Sequence, residues 1–370
     1  MRFTVQSDDI NHSLNLVTRA LPQRSPKDVY EGVFIETTEE GVQLTCTNGE
    51  MSIKTLTPAI IAEDGCALLP AKLLAELLRK MNGEISIQTE DAQKALINAE
   101  GSKTTMMCLD AGDFPDIEDI AGGFVTTLPQ NRLREAVSRI IFAISADETR
   151  PILTGCLMET YAEDVRFVCL DGFRLAMQRV AVSHTLPAGK ETQSSVLPGS
   201  IIGEISRMVE DSGEPVELHC TASHLMAKFN KTKVYCPLIP GEYINYKQIL
   251  PATWTTAIRV DKAQAMAAIE RAALIARESS SYLLKIKVDE DNLTIMANAE
   301  RSSVVEKVAI DFEGSPIDIA FNARYLIDVI KNIDTPDLAM RFNTNVSPCV
   351  ICPVSGNQYT YLVLPVRVSE

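Results

Sequence analysis

The sequence predicts an α+β chain made of three tandem copies of one domain, each with two helices and antiparallel sheets, and three observations carry that prediction. A thirteen-residue block occurs three times without a gap: LPAKLLAELLRKM at 69–81, LPGSIIGEISRMV at 197–209 and FNARYLIDVIKNI at 321–333. The blocks are almost evenly spaced, and ordered passages of strand and helix character recur ahead of each. A chain of 370 residues also has room for three domains of about 120 residues each.

Each copy opens on a short strand and a first helix: SDDINHSLNLVTRAL, then QNRLREAVSRIIFAI, then DKAQAMAAIERAALIA. Ile10, Leu14, Val17 and Leu21 share one helical spacing with Leu133, Val137, Ile140 and Ile144. A strand, turn, strand passage follows in every copy: GVQLTCTNGEMSI (41–53), DVRFVCLDGFRLA (164–176) and NLTIMANAERSSV (292–304). The thirteen-residue block comes next as an amphipathic helix. Its apolar face is expected at Leu73, Leu74, Leu77 and Met81, at Ile201, Ile202, Ile205 and Val209, and at Tyr325, Leu326, Val329 and Ile333. Pro70 and Pro198 suit the first helical turn and Asn322 the N-cap. Gly83, Gly213 and Pro336 then break the helix ahead of the strand-like EISIQ, VELHC and LAMRF. AGDFPDI (111–117) answers PGEYINY (240–246), and linkers with Gly122, Gly123 and Pro251 set the expected domains at 1–122, 123–251 and 252–370.

Three like copies in a row make like contacts, and head-to-tail contacts close a ring or run on as a filament. The first and third copies each keep one open sheet edge, and open edges associate. Two chains could close both edges, giving a homodimeric ring of six domains. Charge suggests a use for it. The net charge is −14, yet the six expected helices (8–21, 69–81, 130–144, 197–210, 261–277 and 321–333) hold 13 Lys or Arg against 9 Asp or Glu. Helices turned inward would line the ring with Arg19, Lys72, Arg79, Lys80, Arg132, Arg134, Arg139, Arg207, Arg271, Arg324 and Lys331. Phosphates are drawn to such a lining with no base being read.

Other chemistries find little support. There is no P-loop, no His-Glu-x-x-His and no Gly-x-Ser-x-Gly elbow, and His12, His184, His219 and His224 form no ligand-like cluster. No apolar run reaches the roughly 20 residues of a membrane span, and the start of the chain does not read as a signal peptide, so a cytoplasmic protein is expected. The nine cysteines read as reduced and mostly buried. Cys349 and Cys352 form a lone CxxC inside an apolar strand pattern, where residues three apart point to opposite faces. A thiol enzyme or metal site on that pair is one alternative reading; an open repeat scaffold that binds only proteins is another.

The triplication, LDGFRLA at 170–176, AGDFPDI at 111–117, FNARYLIDVI at 321–330 and the terminal LPVR at 364–367 closely resemble the bacterial DNA polymerase III beta subunit family, the sliding clamps, from Met1 to Val368. The resemblance implies three DNA-clamp domains forming half of a six-domain ring around duplex DNA. It implies a non-catalytic processivity factor without cofactor or metal, in the bacterial cytoplasm at the nucleoid. A loader opens the ring, and a groove between the second and third domains takes short peptides of the replicative polymerase, the clamp loader, repair polymerases and mismatch-repair proteins.

Carried over, the groove comprises Leu153, Leu170, Gly172, Phe173, Arg174, Leu175, Ile244, Gln248, Ile249, Tyr325, Val346, Pro348, Leu362, Leu364, Pro365, Val366 and Arg367. Its walls are mostly aliphatic, and Arg174 and Arg367 are expected to clamp a polar or acidic group. The chain departs from the family pattern at Leu170 and Phe173, at Ile244 and Gln248, where proline and arginine are common, and at Pro348. Arg24 matches a DNA-contacting loop arginine, although RSPKDVYEG after it departs from the usual run, and Arg150 stands in a comparable DNA-facing loop.

Overall fold

The computed structural model describes residues 1–25, 27–90, 93–278 and 282–367. Pro26 of the RSPKDVYEG run and the end of the chain from Val368 lie outside the described residues. The chain packs as two compact units, one of residues 1–134 and 204–238, the other of 135–203 and 239–370. Six α-helices occur among the described residues: α1 (Ser7–Val17), α2 (Ala71–Leu78), α3 (Gln130–Ile140), α4 (Gly199–Met208), α5 (Lys262–Ala276) and α6 (Ala323–Lys331).

In the first unit a five-stranded sheet runs Ile60–Glu63, Arg2–Gln6, Glu84–Glu90, Lys94–Ala99, Ser102–Met107. An eight-stranded sheet runs Phe124–Pro129, Pro215–Cys220, His224–Phe229, Thr232–Pro237, Ser52–Thr57, Gly41–Thr47, Gly32–Thr38, Cys66–Pro70. In the second unit a nine-stranded sheet runs Gln193–Pro198, Gly155–Thr160, Asp164–Leu170, Arg174–Ala181, Tyr359–Val363, Cys349–Pro353, Asp337–Phe342, Thr256–Asp261, Asp311–Gly314. A four-stranded sheet runs Ser303–Ala309, Asn292–Asn298, Leu283–Val288, Ile317–Asn322. The compact units follow these sheets, not the repeats, because each long sheet joins strands of two successive copies.

The helices fold largely as their periodicity requires. Ile10, Leu14 and Val17 of α1 are buried, as are Leu133, Val137 and Ile140 of α3. Both helices tighten into a 3-10 turn, Thr18–Ala20 and Ile141–Ala143, before leaving at Leu21 and Ile144 with the same φ of −69° and ψ of 138°. Asn322 does cap α6, its side chain accepting the Arg324 amide at 2.9 Å. Pro70 and Pro198 differ from expectation. Each is the last residue of a strand, paired with Gly32 and Gly155 respectively, and its helix begins one residue later. Leu73 differs too: α2 buries Ala71, Leu74, Ala75 and Leu78, so Leu73 falls on the opposite face and is 56% exposed.

The two long sheets are each joined across copies by equivalent strands. In the first unit, Ser52–Thr57, the second strand of GVQLTCTNGEMSI, pairs antiparallel with Thr232–Pro237, the last strand of copy two. The buried Thr55 and Thr232 hydroxyls meet there at 2.9 Å. In the second unit, Arg174–Ala181, the second strand of DVRFVCLDGFRLA, pairs antiparallel with Tyr359–Val363, the last strand of copy three. The remaining members of these two sets are Ser303–Ala309 and Ser102–Met107, and each is the terminal strand of its sheet. Val305 and Met107 on these edges are 62% and 57% exposed.

Candidate functional site

The groove residues converge within the second unit. Leu170 stands opposite Leu175, Leu175 opposite Leu362, and Leu362 opposite Val350, so four apolar side chains cross one face of the nine-stranded sheet. Leu153, Leu157, Val168, Val196 and Tyr246 join Leu170, Leu175 and Leu362 in a buried cluster, with Ile249 and Leu364 packed against it. After the last strand the chain passes from the 171–174 turn to the strand Ile317–Asn322 of the four-stranded sheet. The Leu364 amide donates to the Phe173 carbonyl and the Val366 amide to the Ala320 carbonyl, both at 2.8 Å. Leu364, Pro365 and Val366 are half-buried and Arg367 is exposed.

The turn Asp171–Arg174 is set by its own side chains. Asp171 accepts the backbone amides of Phe173 and Arg174 at 2.9 and 3.0 Å, and Gly172 has a φ of +93°, a backbone region that favours glycine. A β-carbon on Gly172 would sit 3.4 Å from a guanidinium nitrogen of Arg150. Arg150, assigned from sequence to a DNA-facing loop, therefore lies beside the groove turn. Phe173 stacks on Tyr325 with ring centroids 5.6 Å apart and planes at 16°, while remaining 54% exposed.

Arg174 is not free to clamp a ligand. Its Nε donates to Asp171 at 2.9 Å, its Nη1 donates to Asp328, and its guanidinium lies over the rings of Tyr325 (4.9 Å) and Phe142 (5.2 Å). It serves as a brace, joining the 171–174 turn to α6. On the opposite wall the segment 239–251 supplies half-buried Ile249 and exposed Ile244 and Gln248. Buried Tyr246 anchors that wall, its hydroxyl donating to Glu159 at 2.6 Å; burial and the carboxylate hold the phenol protonated. Exposed Val346 and half-buried Pro348 stand on the loop that follows Asp337–Phe342. Asp171, Asp328, Glu159 and Tyr246 were not anticipated as supports, and only the Asp-Gly turn pattern advertised one of them.

The basic candidates divide by burial. Arg24, Lys72, Arg79, Lys80, Arg132, Arg207, Arg271, Arg324 and Lys331 are exposed. Arg207 pairs with Glu204, Arg271 with Glu306 at 2.6 Å, and Arg324 lies 3.8 Å over the Tyr282 ring. Arg139 contradicts its assignment. It is 9% exposed, bonded to Glu135 at 2.7 Å and Asp334 at 2.5 Å, and stacked on Tyr359. A helical arginine turned onto the sheet is spent on the fold and not on a phosphate.

Cys349 and Cys352 lie on the strand Cys349–Pro353 and both are buried; burial pushes both thiols up, away from the thiolate that nucleophilic or metal chemistry requires. No described helix is long and apolar enough to cross a membrane.

Repeated α+β copies joined edge to edge through long antiparallel sheets, with an apolar cluster beside the 171–174 turn, define a repeated-domain scaffold. Models of the DNA polymerase III beta subunit match the chain in three consecutive parts, the N-terminal domain at residues 1–118, the central domain at 127–245 and the C-terminal domain at 247–367. The chain belongs to the DNA polymerase III beta subunit family, the sliding clamps that serve as processivity factors. The beta sliding clamp of Synechococcus elongatus is 28% identical over 376 residues, with all of both chains covered. The sliding clamp of Bacillus subtilis superposes with a TM-score of 0.94 at 25% identity, and the DNA polymerase III subunit beta of Pseudomonas aeruginosa with 0.94 at 26%, again over the full length of each chain.

Proposed function

We propose that the chain is half of a homodimeric ring that encircles duplex DNA, slides without reading sequence and tethers the replicative polymerase. The observation that carries this is the equivalence of the free edges. Pairing Ser303–Ala309 of one molecule with Ser102–Met107 of a second would repeat, at both junctions, the strand pairing already made within each long sheet, and would cover Val305 and Met107. The domains divide at 122/123 and 251/252. The exposed cations Arg24, Lys72, Arg79, Lys80, Arg132, Arg207, Arg271, Arg324 and Lys331 face the phosphates, so binding is sequence-blind and weakened by salt.

The groove takes short peptide tails of the polymerase, the loader, repair polymerases and mismatch-repair proteins, and the ring itself performs no chemistry. It works in the cytoplasm, at the nucleoid. Loading onto circular and linear DNA tests the reading. A topological link resists salt on a circle and is lost from free ends; equal retention on both, or a chain that stays at 40.6 kDa in solution, would overturn it.

A further inference from the structure

The apolar row of the groove does not stop at Leu362. Leu362 stands opposite Val350 and Val350 opposite Arg341, so Leu175, Leu362, Val350 and Arg341 share one face of the sheet. Strands lie about 4.8 Å apart, which sets Arg341 roughly 10 Å beyond Leu362. Its guanidinium lies 4.1 Å over the ring of Trp254, the only tryptophan in the chain, and that ring is 46% exposed. The Thr255 amide donates to the Phe342 carbonyl at 3.0 Å and the Asn343 side chain to the Thr253 carbonyl at 2.7 Å. Trp254 is thus pinned where the loop carrying Val346 and Pro348 leaves the sheet. Groove and platform are continuous through that loop and through Val350.

Among the described residues no carboxylate lies within ion-pair distance of Arg341; Glu313, in the same row, is two strands away, opposite Ala257. An arginine stacked on an indole is held in one orientation, with its N–H edges turned sideways and available to a carboxylate. Trp254, Arg341, Asn343 and Val350 line a small recess beside the guanidinium.

We propose that Trp254 and Arg341 form a second anchor point for the tethered peptide, taking an acidic side chain that flanks its apolar anchors. This rests on the groove reading above. An extended chain covers 10 Å in about three residues, so the acidic residue stands about three positions from the side chain seated over Leu362. The test uses short fluorescein-labelled peptides with leucine anchors at the centre and either alanine or glutamate three positions to each side, titrated by anisotropy at low salt. Wild-type protein should bind the glutamate peptide about fivefold tighter than the alanine peptide. Arg341→Gln and Trp254→Ala should erase that preference while leaving affinity for the alanine peptide unchanged. No preference in wild type, or one that survives Arg341→Gln, overturns the second anchor and leaves the groove standing. Failure of both peptides to bind, or binding indifferent to Phe173→Ala, overturns the groove and the anchor together.

Discussion

Replacing Val305 by lysine should separate the ring into folded monomers. Val305 lies on the terminal strand Ser303–Ala309 and is 62% exposed, so the substitution removes little from the fold of a single chain. Burying a whole valine stabilises by about 1.5–3 kcal/mol, and covering the exposed three-fifths should contribute about 1–2 kcal/mol per junction. A closed dimer has two such junctions, so about 2–4 kcal/mol is lost before any charge is counted. That corresponds to about a 30-fold to 1,000-fold rise in the dimer dissociation constant. Burying an ammonium between strands adds to the loss, and Lys103 of the facing strand Ser102–Met107 supplies like charge. Sedimentation velocity over a dilution series reads the midpoint, and far-UV circular dichroism checks the monomer. Equal midpoints for the variant and wild type, with both folded, would refute closure through these edges.

Arg174→Ala should destabilise the second unit by about 2–4 kcal/mol, because it strands the largely buried Asp171 carboxylate beside the groove; urea unfolding measures it. Substituting Lys72, Arg79 or Lys80 by alanine should weaken DNA binding alike on every sequence and lower the salt slope by about 1 for each phosphate no longer neutralised, whereas Arg139→Gln should lower stability and leave that slope unchanged. Cys349→Ala together with Cys352→Ala should leave DNA tethering intact in a loading assay, since neither thiol is poised to react. Burial pushes the Cys236 thiol up to about 12, above the roughly 8.5 of an unfolded chain, so its contribution is complete below about pH 8.5 and is lost as pH rises toward 12. Unfolding free energies from urea titrations at pH 8 and pH 10 should differ by about 2 kcal/mol for each such thiol, and Cys236→Ala should shrink the difference.

Element order and type were readable because they rest on local periodicity. Helix α6 announces itself by Asn322 at its cap and by Leu326, Val329 and Ile330 on one stripe. Leu73 and Leu74 show where that stops: adjacent leucines look alike as apolar positions in a sequence, and only the sheet beneath α2 selects Leu74. The groove was readable through a resemblance that groups residues distant in sequence, and the structure gathers Leu153, Leu170, Leu175, Leu362 and Leu364 around one cluster. The roles of its arginines were not readable. A guanidinium goes to whichever carboxylates the fold brings near, so Arg174 became a brace against Asp328, 154 positions away, and Arg139 turned inward to Asp334.

The chain's own order of residues settled the triplication, the helices and strands of each copy and the equivalence of their edge strands, because all of these follow from patterns a few residues long that recur. Tertiary structure alone decided which strand of each copy forms the joining edge, in what register it pairs, and which charges are consumed inside. Strand pairing and ion pairing join residues far apart in the chain, and no short-range pattern encodes which distant partner arrives.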